Sequence, residues 1–147
     1  MAGVRFRRLP SNPDLPLPER ASAQAVGYDI RSAEPDFELA PSQRKAVATG
    51  LVMEMPDGLE CQVRPRSGLA LRHGIMVPNA PGTIDPDFRG ELKVILMNLG
   101  NRPVTISRGE RIAQLVFARF ETPETAESEC VEESARGSGG FGSTGMG

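Results

Sequence analysis

The sequence has few of the side chains from which metal sites and nucleophilic enzymes are built. Its 147 residues include one histidine, two cysteines and no tryptophan. A site with several histidine ligands is therefore impossible, and a Ser-His-Asp or Cys-His enzyme would depend on His73 alone. A surface or packing role is the ordinary interpretation of an isolated histidine.

The cysteines, the hydrophobic runs and the net charge limit where the protein is located and what it binds. Cys61 and Cys130 form no Cys-x-x-Cys pair, which is typical of reduced thiols in a cytoplasmic protein. No apolar run reaches the roughly 20 residues of a membrane span, and residues 1–8 lack the apolar core of a secretory signal. With 17 Lys+Arg against 19 Asp+Glu, we expect neither a membrane nor a nucleic acid as partner. The unpaired thiols and the lack of a signal sequence predict a cytoplasmic location.

The pattern of hydrophobic residues predicts an all-β fold, and the chain is of a size that suits one compact domain. From Phe37 to Phe120, short alternating apolar runs are separated by Gly, Pro, Asn and Asp. Predicted strands cover residues 45–55, 60–64, 91–98, 104–106 and 112–120. One short helix is predicted over residues 67–72, ended by Gly74. A jelly roll is the architecture that fits best.

The composition changes after Phe120. Residues 121–134 are acidic and nearly without apolar side chains, so they predict a flexible linker. We therefore divide the chain into a core, residues 1–122, and a flexible C-terminal arm, residues 123–147. A disordered low-complexity tail is the simpler interpretation of so glycine-rich a terminus.

The arm ends in Arg-Gly-Ser-Gly-Gly-Phe-Gly-Ser-Thr-Gly, residues 136–145. Gly-x-Gly-x-x-Gly is present, but a dinucleotide fingerprint needs a strand before it and a helix after it, and here neither is predicted. The glycines let backbone N–H groups face an anion, and Arg136 offers a fork for phosphate. Phe141 has a face on which a base can stack. These are the properties of a nucleotide lid.

Four further segments carry candidate polar residues. Arg66 and Ser67 stand where the helix is predicted to begin, which is an anion site or an ordinary Ser cap beside a surface arginine. Asp85, next to a proline, is either a turn cap or a base that activates water. Asp29 is isolated among apolar residues, and Gln114 lies in a buried-looking strand where an amide ordinarily makes a structural hydrogen bond.

Taken in order, residues 25–30, 64–70, 79–91, 109–116 and 136–145 resemble the five motifs of the homotrimeric dUTPases, the deoxyuridine 5′-triphosphate nucleotidohydrolases. The resemblance implies a jelly-roll homotrimer whose three active sites are shared between subunits. It implies hydrolysis of dUTP at the α-phosphorus to dUMP and pyrophosphate, which lowers dUTP and supplies the precursor of dTMP. It also implies Mg²⁺ as cofactor, carried mainly by the triphosphate, with Asp29 holding one of the metal's water molecules.

The same resemblance assigns roles to individual residues. Asp85 matches the carboxylate that orients and deprotonates the attacking water. Residues 79–84 match the hairpin that reads uracil, Phe141 matches the ring that stacks over it, and Lys93 matches a position near the substrate. The positions that match substrate contacts are Arg66, Ser67, Gly68, Asn79, Gly82, Thr83, Ile84, Phe88, Lys93, Gln114, Arg136, Phe141, Gly142, Ser143 and Thr144. At Phe88 the family usually has tyrosine, so the phenolic hydroxyl is missing.

Three other functions compete with this interpretation. A non-hydrolysing dUTP-binding regulatory protein would lack the base or the arm, whereas Asp85 and Phe141 are both present. A relative of the dCTP deaminases would share the fold, but the hairpin around Asp85 and the complete arm favour the diphosphatase. A purely structural β-sandwich gives no reason for a Gly-Phe-Gly segment behind an acidic linker.

Overall fold

The computed structural model describes residues 3–147, so the first two residues of the predicted core lie outside the described range. Its elements are, in chain order, β1 (Arg5–Arg8), β2 (Tyr28–Arg31), β3 (Phe37–Leu39), β4 (Arg44–Glu54), β5 (Leu59–Arg64), α1 (Ser67–His73), β6 (Ile75–Met76), β7 (Gly82–Ile84), β8 (Glu91–Asn98), β9 (Val104–Ile106) and β10 (Arg111–Arg119). The predicted all-β fold with one short helix is confirmed.

The strands form two antiparallel sheets of four strands and one ribbon of two. The sheet orders are β1-β4-β8-β6 and β2-β10-β5-β7, and β3 pairs with β9. One apolar cluster joins all three, with Leu96 from the first sheet, Leu115 from the second and Ile106 from the ribbon, each fully buried. Burying a side chain of this size contributes about 1.5–3 kcal/mol. The two-sheet layout fits a jelly roll.

Long strands follow the predicted period of two. In β8, Leu92, Val94 and Leu96 are buried, whereas Lys93 between them is exposed. The bounds of β8 and β9 match the prediction, and those of β4, β5 and β10 differ by one residue. Of the six strands with two to four residues, only β9 was in the predicted set, because so few residues seldom display a period.

Helix α1 ends as predicted but begins differently. Gly74 ends it in the left-handed conformation, with φ of 67°, and its N–H bonds back to the helix. The N-cap position is Arg66, in extended conformation and without a side-chain cap bond, and Ser67 is already helical. The Ser cap is therefore wrong, because the serine lies one residue too far along the chain to accept from the first free N–H groups. No helix of residues 3–147 is long and apolar enough to cross a membrane.

Candidate functional site

A row of polar side chains crosses the outer face of the β2-β10-β5-β7 sheet. Asp29 stands opposite Gln114, which in turn stands opposite Arg64. Directly paired residues of antiparallel strands share a face, and the next pair along, Leu115 with Val63, belongs to the buried core. Asp29 and Gln114, from two separate sequence segments, therefore lie side by side facing away from that core.

Asp29 joins two arginines at one end of this row. Its Oδ1 lies 3.5 Å from Nε of Arg66 and its Oδ2 lies 3.1 Å from Nη1 of Arg111, and its side chain is only 11% exposed. Arg66 also donates from Nη1 to the carbonyl oxygen of Arg111 at 3.3 Å. These contacts tie Arg66, at the start of α1, to strands β2 and β10. Sequence reasoning missed Arg111, although it belongs to the same motif as Gln114.

Gly27 makes room for the side chain of Gln114. A Cβ atom at position 27 would lie 2.5 Å from Oε1 of Gln114, so any larger residue would displace this amide group. The amide of Gln114 therefore lies directly over the backbone of the segment that leads into β2. The glycine between Val26 and Tyr28 is the feature of the sequence that indicates this close approach.

Asp85 lies at a cavity of about 250 Å³ beside the hairpin that β7 opens. Strand β7 is held by β5, with Thr83 opposite Gln62, and the chain turns directly after it, where the N–H of Phe88 donates to the carbonyl oxygen of Asp85 at 3.1 Å. The residues that line the cavity are Thr83, Ile84, Asp85, Phe88, Glu91, Leu92 and Lys93. The structure thus brings five of the predicted site residues together, with an exposed carboxylate among them.

Two close approaches shape this hairpin. The ring of Phe88 is 46% exposed and passes over Gly90, where a Cβ atom would lie 2.6 Å from Cζ. The side chain of Asn79 approaches buried Gly82, whose Cβ position is 3.3 Å from Nδ2. Ala80 and Pro81, between them, are joined by a cis peptide bond. Predicted residues Asn79 and Gly82 are therefore neighbours in the same turn.

The arm residues are not brought to this site within one chain. Arg136, Phe141 and the three residues after Phe141 are exposed, and the ring of Phe141 is fully so. Every hydrogen bond described for residues 134–145 joins two residues of that segment, such as Nε of Arg136 to the carbonyl oxygen of Gly139 at 2.8 Å. Ser67 and Gly68 are likewise exposed, at the start of α1.

The described residues do not form a protein-held metal centre. Across residues 3–147, no group of three or more His, Cys, Asp or Glu side chains is placed to hold an ion. Each oxygen of the Asp29 carboxylate already faces a guanidinium group, which opposes direct binding of a cation there. A resident Mg²⁺ ion held by protein carboxylates does not fit this donor set.

Comparison with known proteins gives a consistent result. The dUTPase family model matches residues 14–145. A deoxyuridine 5′-triphosphate nucleotidohydrolase of Mesorhizobium japonicum is 52% identical over 145 residues, which cover 97% of this chain and 90% of the relative.

Solved structures agree with that match. A mutant dUTPase of Staphylococcus bacteriophage 80alpha with dUpNHpp superposes with a TM-score of 0.90 at 26% identity, over 99% of this chain and 100% of that one. The dUTPase of Staphylococcus aureus phage phi11, in a mutant form that shows coordination of a structural Mg(II) ion, has a TM-score of 0.80 at 24% identity, over 90% and 100% of the two chains.

Proposed function

The chain belongs to the dUTPase family and hydrolyses dUTP, and we propose that water attacks the α-phosphorus to release dUMP and pyrophosphate, with Asp85 as general base. The observation that carries this mechanism is the cavity of about 250 Å³, where one exposed carboxylate stands beside an aromatic ring and a lysine. A carboxylate within hydrogen-bond reach of a bound water can take its proton as the new P–O bond forms. The reaction lowers dUTP and supplies the precursor of dTMP.

We assign recognition of uracil to the hairpin of residues 79–84. Its backbone is held by β5 and by the contact of Asn79 with Gly82, so its polar groups are in place before substrate binds. A rigid pocket rejects the extra methyl group of thymine by steric exclusion, and fixed donors and acceptors disfavour the opposite pattern of cytosine. Thr83 and Ile84 would contribute their backbone groups to this edge.

We assign binding of the substrate's phosphate chain to Arg66, Ser67, Gly68 and Gln114. The ion pair with Asp29 orients Arg66 before substrate binds, so its charge need not be ordered during the reaction. The described residues do not fit a resident ion, so Mg²⁺ would enter the site together with dUTP. Bound to the triphosphate, Mg²⁺ would offset its negative charge. A water of the Mg²⁺–dUTP complex held by Asp29 stays a prediction, since the carboxylate has lone pairs beyond the two arginine contacts.

We propose that the arm completes the site of a neighbouring copy in a homotrimer of jelly-roll subunits. Strand β10 ends at Arg119, and the described chain has no helix or strand after it, which supports the division into a core of residues 1–122 and an arm of residues 123–147. Phe141 would stack over uracil, while Arg136, Gly142, Ser143 and Thr144 would hold the γ-phosphate end. Closure by such an arm excludes water from the reacting phosphate. A cytoplasmic location remains a prediction from the free thiols.

Pyrophosphate release from four nucleotides tests the proposed function. With Mg²⁺ present, the wild-type protein is expected to release pyrophosphate from dUTP and not from dTTP, dCTP or UTP. Ammonia from dCTP would instead indicate a deaminase. Binding of dUTP without release of pyrophosphate would indicate a regulatory protein and contradict the proposal.

Phe88 should preserve discrimination against UTP although it lacks the phenolic hydroxyl. The ring, fixed over Gly90, would lie under the deoxyribose and leave no room for a 2′-hydroxyl, which is a steric effect that needs only the face of the ring. We expect kcat/KM to favour dUTP over UTP strongly in the wild type and in Phe88→Tyr, and to do so less in Phe88→Ala. Near-equal values of kcat/KM for the two nucleotides in the wild type would contradict this prediction.

A further inference from the structure

A cavity of about 740 Å³ lies at the end of α1 opposite to the proposed phosphate contacts. It is formed by the last residues of the helix and by the loop between β8 and β9. We call it the basic cleft and define it by Leu71, Arg72, His73, Leu99, Asn101 and Arg102. None of its described lining residues is acidic, and Leu71 and Leu99 are 89% and 61% exposed. The cleft therefore offers two guanidinium groups beside two uncovered apolar side chains.

The walls of the basic cleft are held in place by buried Asn98. Its Nδ2 donates to the carbonyl oxygens of Leu39 at 2.9 Å and Arg102 at 2.8 Å, and its Oδ1 accepts from the N–H of Gly100 at 2.8 Å. Leu99 follows Asn98, and its N–H donates to the carbonyl oxygen of Gly74 at 2.9 Å. This bond holds the loop against the end of α1. Because the loop is already ordered, a ligand would bind without the cost of ordering it.

The chain itself contains a segment of complementary chemistry, residues 121–134, which we call the acidic stem. It has six glutamates and no lysine or arginine. All of its residues are exposed in the described structure, and Val131 is 87% exposed. The stem thus combines the negative charge that two arginines attract with an apolar side chain that two uncovered leucines can accept.

We propose that the basic cleft of one copy binds the acidic stem of a neighbouring copy's arm. Arg72 and Arg102 pair with stem glutamates, and Leu71 and Leu99 receive Val131. The inference rests on the proposed closure of the arm over a neighbour's site, and it adds a docking surface that guides the arm there. Exposed ion pairs are individually weak and screened by salt, but a tethered segment binds at a high effective concentration.

Distances along the chain allow the stem to bind in the basic cleft while Arg136 reaches the phosphate contacts. Helix α1 has seven residues, so about 10 Å separates the proposed phosphate contacts at its start from the cleft at its end. Residues 131–133 precede Arg136 by three to five residues, which span about 10–17 Å when extended. A stem seated in the cleft therefore places Arg136 beside the phosphates at Ser67.

The arm begins at the end of the sheet far from its own α1, and the choice of a neighbour's cleft rests on the proposed closure of the arm over a neighbour's site. The last residue of β10, Arg119, pairs with Leu59, the first residue of β5. Helix α1 follows the other end of β5, after Arg64. The arm therefore leaves the sheet at the end far from its own α1, about 17 Å away along β5.

Crosslinking through Cys130 tests the docking, because this thiol lies within the stem. Cys61 is fully buried and burial raises its pKa to about 12, whereas Cys130 is exposed. Two tagged copies are expressed together, one carrying Asn101→Cys with Cys130→Ser and the other unchanged. A short bismaleimide is expected to join position 101 of the first to Cys130 of the second. The joined peptides, identified by mass spectrometry, can arise only between copies.

Charge reversal separates docking from chance collision. Adding Arg102→Glu to the first copy is expected to lower the crosslink yield about tenfold, because it replaces the attraction of Arg102 for several stem glutamates with repulsion. Arg7→Glu makes the same change of charge on exposed strand β1 and should alter the yield less than about twofold. Circular dichroism checks that both variants fold.

Three results would overturn the docking proposal. These are no crosslink between copies, a yield that Arg102→Glu leaves unchanged, or a crosslink seen only when both thiols are on one chain. Each can occur while the wild-type protein still releases pyrophosphate from dUTP, so the docking can fail without the proposed function. Failure of pyrophosphate release in the wild type would instead count against the function itself.

Discussion

We expect Asp85→Asn to lower kcat for dUTP hydrolysis by about 10²–10⁴-fold, the usual contribution of a general base. Asparagine has nearly the same shape as aspartate and keeps the backbone turn in which the carbonyl oxygen of residue 85 accepts from Phe88. It cannot take a proton from water at neutral pH. The substitution therefore removes the group that accepts the proton of the attacking water and leaves the shape of the cavity unchanged.

Steady-state and single-turnover kinetics with dUTP and Mg²⁺ measure this effect, and calorimetry with an imido analogue of dUTP measures binding. The Kd of the analogue should change by less than about tenfold, because the role lost belongs to the transition state. Asp87→Asn, two residues along and also exposed, is the matched control and should retain activity. If Asp85→Asn retained the wild-type kcat, Asp85 would not be the general base.

We expect Asp29→Asn to lower both the stability and the activity. The carboxylate is 11% exposed and holds Arg66 and Arg111 together, so removing its charge leaves two partly buried guanidinium groups facing each other without an anion. Hydrogen bonds and ion pairs of charged groups at such a position contribute about 1.5–3 kcal/mol. The free energy of unfolding should fall by about that amount.

The activity should fall by more than the loss of stability explains. Without Asp29, the side chain of Arg66 is no longer directed toward the phosphates, and a displacement of about 1 Å in a positioned group can cost about 10²-fold in rate. Urea denaturation gives the stability, and kcat/KM at a temperature where the variant is folded gives the activity. Asp57→Asn, at an exposed turn, carries the same change of charge and should shift stability by less than about 0.5 kcal/mol. An unaltered kcat/KM in folded Asp29→Asn would contradict a positioning role.

The fold was predictable to the extent that the strands are long enough to show a period. Strand β8, with eight residues, alternates so clearly that its bounds follow from the sequence, and helix α1 ends at the glycine that signals its end. Strands β6 and β7, with two and three residues, have no such signal. They are strands because they pair with longer neighbours, β6 with β8 and β7 with β5, and this pairing cannot be predicted from two or three residues.

The residues of the candidate site were predictable one segment at a time, but their partners were not. Asp29 reads as an isolated acid in the sequence, whereas the structure places it between arginines from two other segments. The predicted Ser cap failed for a related reason, since the extended conformation of Arg66 shifts the start of α1 by one residue. Gly27 matters only because β2 and β10 bring Gln114 over it.

By itself, the sequence determined the all-β class, the exclusion of histidine-rich chemistry, the order of the five motifs and the change of composition after Phe120. These features depend on composition and on patterns within a few consecutive residues, which can be recognised without knowledge of the tertiary structure. Only the tertiary structure decided which charges pair, which glycines permit a close approach and which side chains line the basic cleft. These depend on contacts between residues distant in sequence, such as Asp29 with Arg111, and burial and register set such contacts only after the sheets have formed.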